Sequence, residues 1–222
     1  TFEESQFDAD LVSINDRTLS KDQLNNEEEV NQVIRELDKC SFFLSEVDTK
    51  PQSSSPKPPF RTATLQMAAS SSFGFSAEYT LNIAQKLYQN GLITYLRTDG
   101  ITISNDPNIN DPFSEKNPGP APLGEIRNLI SDKFGNSHLS EKIRVYKAKV
   151  VNSQEAHEAI RPTDIFISPD EVSLSKDEER LYALIWNRTV ASQMVNSRYE
   201  RKILTIKSSD KKFSFRASSR RN

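Results

Sequence analysis

An α+β fold built from more than one domain is what the 222-residue sequence predicts, and three observations predict it. Apolar residues recur with helical spacing through the middle of the chain. They alternate with polar residues near its end. Between the opening part and the middle stands Lys50-Pro51-Gln-Ser-Ser-Ser-Pro56-Lys57-Pro58-Pro59, whose prolines remove backbone donors and favour extended chain, so it reads as a linker. Length permits one or two domains, since a domain typically takes about 100–200 residues.

The elements follow in order. From Asp22 to Leu37, Leu24, Val30, Val33, Ile34 and Leu37 keep a helical register, and Phe42, Phe43, Leu44 and Val47 then predict a strand. This opening part has too few apolar residues to close a core, so something else must cover it. After the linker, a helix over about Thr62–Ser72 and a second from the N-cap candidate Ser76 to the stop at Gly91 form a helix, turn, helix arrangement. Leu92-Ile-Thr-Tyr-Leu96 is β-branched and aromatic and predicts an extended run. Residues 105–122 carry five prolines among Asn, Asp and Gly and predict loop. A helix at about Leu123–Phe134 and a strand at about Ile143–Val151 come next. Ser175 and Glu178 make a capping box for a long helix reaching to near Val195. Alternation at Ile203, Thr205 and Lys207, then Phe213 and Phe215, predicts two strands joined by a turn at Ser208-Ser209-Asp210.

Composition excludes several functions. No window approaches the ~18 consecutive apolar residues of a membrane span, and the acidic start TFEESQFDAD is unlike a signal peptide. One cysteine, Cys40, excludes an internal disulfide and every multi-cysteine zinc site, which makes a reducing compartment the default. A start without Met inside a polar run suggests a piece of a longer protein. Net charge is −2, with a gradient beneath it: −8 over residues 1–50 and +7 over residues 197–222. The basic end either pairs with the acidic beginning in the fold, meets phosphate, or is a solvated strand face.

Two clusters carry chemistry. In Tyr95-Leu96-Arg97-Thr98-Asp99, extended chain puts Tyr95 and Arg97 on one face. A phenol is a weak nucleophile at neutral pH, and a guanidinium beside one favours its ionised form and neutralises a phosphate under attack. A tyrosine in an apolar run is, on spacing alone, more often core. The second cluster is Gln154-Glu155-Ala156-His157-Glu158-Ala159-Ile160-Arg161-Pro162. His157 and Arg161 are four apart, and imidazole with guanidinium suits a phosphate. A surface histidine beside a salt-bridged arginine is the commoner reading. His138 reads as loop, and two histidines with one cysteine offer no transition-metal site.

Pro58-Pro-Phe-Arg-Thr-Ala-Thr-Leu-Gln66, Gly74-Phe-Ser76, Ala84-Gln-Lys-Leu-Tyr88, Gly91-Leu-Ile-Thr-Tyr-Leu-Arg-Thr-Asp99, Ser153 to Asp164, and Leu181-Tyr182 through Met194 together resemble the central region of the type IA DNA topoisomerases, bacterial topoisomerase I in particular. The blocks keep their order and span nearly the whole chain. The resemblance implies an isomerase in which Tyr95 attacks a single-stranded DNA phosphodiester and becomes joined to the 5′ phosphate. It further implies that Arg97 steadies that phosphate, His157 contacts it, and Arg161 binds DNA and supports the site. One ester replaces another, so the intact enzyme relaxes supercoils without ATP. The implied fold is a mostly helical, helix-turn-helix-like tyrosine domain at residues 55–196, inserted into a β-rich arch domain made of residues 1–54 and 197–222. Opening of a DNA gate would need hinges, for which residues 51–59 and the return near 196 are candidates.

The family's N-terminal Toprim domain, which binds Mg2+ through an Asp-x-Asp cluster, has no counterpart here. Asp8-Ala9-Asp10 matches it in letters alone. The resemblance therefore implies Mg2+ bound outside this chain, no metal ligand within it, and inactivity of the chain by itself. It implies single-stranded DNA and the Toprim domain as partners, a cytoplasmic nucleoid setting, and neither membrane nor small-molecule substrate. Gly100 stands where many relatives have Ser, and Arg61 and Ala63 where many have Thr and Ser. Two other readings compete: a helix-turn-helix DNA-binding module in which Tyr95 is core, and a tyrosine recombinase, whose nucleophile follows its His and Arg residues whereas Tyr95 precedes them.

Overall fold

The computed structural model describes residues 7–20, 23–103, 121–146 and 158–221. The chain divides into two compact units: Thr1–Ser54 with Ser197–Asn222, and Ser55–Asn196.

The first unit is a five-stranded sheet in the order β2-β1-β5-β4-β3, antiparallel throughout. Its strands are β1 (Asp10–Ile14), β2 (Arg17–Thr18), β3 (Phe42–Ser54), β4 (Ser197–Ser208) and β5 (Phe213–Arg221). The first two were not expected. Asn15 and Asp16 both take positive φ, at 50° and 60°, which gives a two-residue turn the twist a hairpin needs. β3 pairs with β4 from Phe42 opposite Ser208 to Ser54 opposite Ser197, interrupted by a bulge between Leu44 and Glu46. The sparse opening part is thus completed by strands from the far end of the sequence. Phe213 is fully buried, and Phe215 meets Phe42 edge-on at 5.5 Å.

This pairing corrects the linker expectation. Pro51 to Ser54 belongs to β3, and Pro51 is tolerated because β3 lies at the sheet edge, where a missing N–H leaves no inner ladder bond broken. The helix α1 (Glu27–Leu37) starts five residues later than its periodicity suggested. Asn26 sets its start by accepting from the Glu28 N–H at 2.9 Å, with three glutamates in the first turn. A bond from Lys212 to Glu36 ties α1 to the β4–β5 turn.

The second unit is helical. It contains α2 (Thr62–Phe73), α3 (Ala77–Gln89), α4 (Pro122–Phe134) and α5 (Lys176–Ala191). Gly74, at φ 73°, ends α2 in the left-handed region, and Ser76 caps α3 by accepting from the Tyr79 N–H. Pro122, expected in the loop, is instead the first residue of α4, where its missing N–H costs nothing. The remainder of that expected loop, 105–120, lies outside the described residues. Leu65, Ala69, Ile83, Ala84, Leu87, Ile126, Ile130, Leu181, Ile185 and Val190 form one core, with α5 packed on α2, α3 and α4.

Three further expectations change. α5 stops at Ala191 rather than near Val195, because Gln193 and Met194 turn back on Val190 and Ala191, and the buried Gln193 side chain pairs with the Arg144 backbone through both its amide atoms. That pairing occupies Ile143–Tyr146, which forms no strand; residues 147–151 lie outside the described residues. Leu92–Leu96 makes a single bridge, Ile93 with Pro162, rather than a strand.

Tyr182 is fully buried and donates to the Ile167 carbonyl at 2.9 Å. Burial raises its phenol to about 12, above the ordinary value near 10. The folded state holds this proton more tightly than the unfolded chain does. The associated stability is whole below about pH 10 and is lost as pH rises towards 12. Urea unfolding followed between pH 8 and 11.5 should show the helical unit weakening by roughly 2 kcal/mol at the alkaline end, and Tyr182→Phe should flatten that fall.

Candidate active site

Residues Leu92–Gly100 contain no helix and no strand, so their backbone groups must find partners elsewhere. Gly91, at φ 72°, turns the chain out of α3 into this segment. Threonines then fasten it on two sides. The Thr94 N–H donates to the Arg161 carbonyl at 2.9 Å; the Thr94 hydroxyl donates to the Ala159 carbonyl at 2.8 Å and accepts from the Arg161 N–H at 3.0 Å. The Thr98 hydroxyl donates to the Glu158 carbonyl at 2.9 Å. On the other side the Thr62 hydroxyl, in the first turn of α2, donates to the Leu96 carbonyl at 2.7 Å and accepts from the Thr98 N–H at 2.8 Å.

The outcome is a rigid pedestal for two exposed side chains. Leu96 points into the core at 1% exposure, while Tyr95, at 53%, and Arg97 on either side of it are exposed. Tyr95 and Arg97 are thus both exposed, on a bent loop rather than on the expected extended run. Tyr95 stands edge-on to Tyr88 of α3, ring centroids 5.4 Å apart. That contact steadies the ring without sealing it in hydrocarbon, which removes the reading of Tyr95 as a core residue.

Arg161 is enclosed. Its side chain is 3% exposed and binds Glu158 through two nitrogens, at 2.8 and 3.3 Å, and the Pro162 carbonyl at 2.8 Å. A guanidinium enclosed in this way ties together the 158–163 segment, whose own N–H and C=O groups hold Thr94 and Thr98. Glu125 of α4 lies close by. Burial raises its carboxyl above the ordinary range, Asp164 adds to the rise, and Arg161 opposes it. His157 lies outside the described residues; Glu158, the next residue, accepts from Thr98 and bridges Thr102.

Beside Arg97 an open recess of about 520 Å³ is lined by Arg61, Thr62, Ala63 and Gln66 from the start of α2 and by Arg97, Thr98 and Asp99. Sequence reasoning passed over Thr62, Thr94, Thr98 and Glu158, although all four lie within the quoted blocks. A hydroxyl or carboxylate that serves the backbone carries no spacing signal of its own.

The sequence pattern of the DNA topoisomerase family matches residues 2–222. The chain belongs to the type IA DNA topoisomerase family, as a bacterial topoisomerase I sequence. It is 41% identical over 217 residues to DNA topoisomerase 1 of Rickettsia prowazekii, covering 93% of this chain and 26% of that protein. It is 37% identical over 228 residues to DNA topoisomerase 1 of Helicobacter pylori strain 26695, covering 98% of this chain and 29% of that protein. The structure of full-length topoisomerase I from Thermotoga maritima superposes with a TM-score of 0.61 at 30% identity, over 98% of this chain and 33% of that one. The topoisomerase chain thus spans about a quarter to a third of the relatives it matches. Membership in this family displaces the recombinase alternative.

Topoisomerases of this type depend in general on Mg2+. Among the described residues, no group of three His, Cys, Asp or Glu side chains could hold a metal ion. No helix among them is long and apolar enough to cross a membrane.

Thr62→Val keeps the shape of the latch and deletes its hydroxyl. The Leu96 carbonyl and the Thr98 N–H then lose their partner, and urea unfolding of the 222-residue chain should show a loss of about 1–3 kcal/mol.

Proposed function

We propose that, within a longer protein, this chain supplies the nucleophilic half of a type IA DNA topoisomerase. Tyr95 Oη attacks the phosphorus of a single-stranded DNA phosphodiester. The phenol gives up its proton, an O–P bond from Tyr95 to the 5′ phosphate forms, the P–O3′ bond breaks, and the departing 3′ oxygen takes up a proton. Reattack by the 3′ hydroxyl reverses each step, so energy stored in the phosphotyrosine ester reseals the strand and no ATP is consumed. The observation that carries this reading is an exposed phenol two residues from an exposed guanidinium on a loop pinned from both sides.

Arg97 neutralises charge that gathers on the phosphate during attack. His157 contacts the same phosphate by family resemblance. Arg161 acts from behind, fixing through Glu158 the carbonyls that grip Thr94 and Thr98. Mg2+ belongs to acidic residues outside this chain, in the family's Toprim domain. Residues 55–196 act as the tyrosine domain; residues 1–54 and 197–222 act as arch. Hinges for a strand-passage gate fall near Ser54 and Asn196. The working compartment is the cytoplasm, on nucleoid DNA.

Two outcomes test this. In the longer protein, Tyr95→Phe should abolish the covalent protein–DNA adduct while single-stranded DNA binding persists; loss of folding instead would return Tyr95 to a structural role. The isolated 222-residue chain should bind single-stranded DNA weakly and should not relax a supercoiled plasmid with Mg2+ present. Relaxation would show that the acidic partners are dispensable.

A further inference from the structure

Arg61 is the first residue before α2 and one of two arginines that line the recess beside the Leu92–Gly100 loop. The other is Arg97. Both are exposed, and neither makes an ion pair among the described residues. Their backbones are locked to each other: the Thr62 hydroxyl bonds the Leu96 carbonyl and the Thr98 N–H, and the Thr62 N–H donates to the Thr98 carbonyl at 3.0 Å. Arg61 precedes Thr62 and Arg97 lies between Leu96 and Thr98, so one latch fixes the roots of both side chains.

Two guanidiniums held at one recess repel each other, and a fold that keeps them there without a bridging carboxylate pair has stored a preference for an anion. Asp99 also lines the recess and offsets part of that charge. Arg61, Arg97 and Asp99 leave the recess with a net positive charge, the sign that attracts a phosphodiester backbone. The recess is open rather than enclosed, as a continuous strand requires.

We infer that Arg61 and Arg97 form a two-guanidinium clamp on the backbone of single-stranded DNA, Arg97 on the reacting phosphate and Arg61 on a neighbouring one. The inference rests on the proposed role of Tyr95 and Arg97 and adds Arg61 as a strand-positioning residue. Arg61 touches no reacting atom; it sets where along the strand the reacting phosphate lies.

The test is a fluorescence-anisotropy titration of the 222-residue chain with a labelled single-stranded thymidine oligonucleotide at several salt concentrations. Arg61→Gln should weaken binding by roughly tenfold and reduce the slope of log K against log salt by about 0.7, the loss of one phosphate contact on a single strand. Arg61→Lys should restore the slope, since it keeps the charge. Arg180→Gln, which removes a surface arginine of α5 paired with Asp177, should leave both quantities unchanged. Equal slopes for wild type and Arg61→Gln would overturn the clamp and leave the reading of Tyr95 standing. Equal losses from Arg61→Gln and Arg180→Gln would overturn it too, because the effect would then be bulk charge. An absence of binding by the wild-type chain at low salt would overturn both the clamp and the DNA-binding reading beneath it.

Discussion

The constraint on which the site depends is the need of an irregular loop to satisfy its own backbone. Leu92–Gly100 lacks the ladder of bonds that a helix or strand provides, and burying part of it without partners would cost about 1–3 kcal/mol for each orphaned group. Three threonine hydroxyls meet that need. Thr94 and Thr98 reach the 158–161 backbone, and Thr62 reaches back from α2. A hydroxyl both donates and accepts, so each can join two chain segments at once. Tyr95 and Arg97 inherit their rigidity from this arrangement rather than from any bond of their own.

A second layer explains why the 158–163 segment is firm enough to serve as the anchor. Arg161 is buried against the partly exposed Glu158, and removing that carboxylate would leave an enclosed guanidinium charge without that partner, which is costly even where forming the pair gains little. The neighbouring bridges, Phe60 with Ile160 and Ile93 with Pro162, join the same short stretch to the entry of α2 and to the loop. Residues close to 60, 95 and 160 thus converge. The family blocks, distant in sequence, make up one folded unit.

Local chemistry made the helices legible. Ser76, Gly74 and the Ser175–Glu178 box mark helix ends through bonds between near neighbours, and the apolar spacing of α3 and α5 depends on nothing farther away. Strands were less readable where pairing decides them. Pro51 to Ser54 looks like linker because its composition is turn-like, and it becomes strand because Ser197 to Glu200 lies alongside. The Asn15-Asp16 turn was a local signal that went unread. Leu92–Leu96 has strand-like composition but finds hydroxyls where a neighbouring strand would have been. Within the site, Tyr95 and Arg97 were singled out by the family blocks around them, since a tyrosine in an apolar run reads by itself as core. The enclosure of Arg161 was not legible, since burial is a property of what packs around a residue.

The ends of β3 and β4 have a topological meaning. Ser54 and Ser197 are opposite one another on the last rung of the pair, so the chain leaves the sheet and re-enters it at adjacent positions. All of residues 55–196 occupies the place where an ordinary hairpin would have a short turn. Evolution could therefore have acquired, exchanged or enlarged that segment as a cassette without disturbing the strand register on either side.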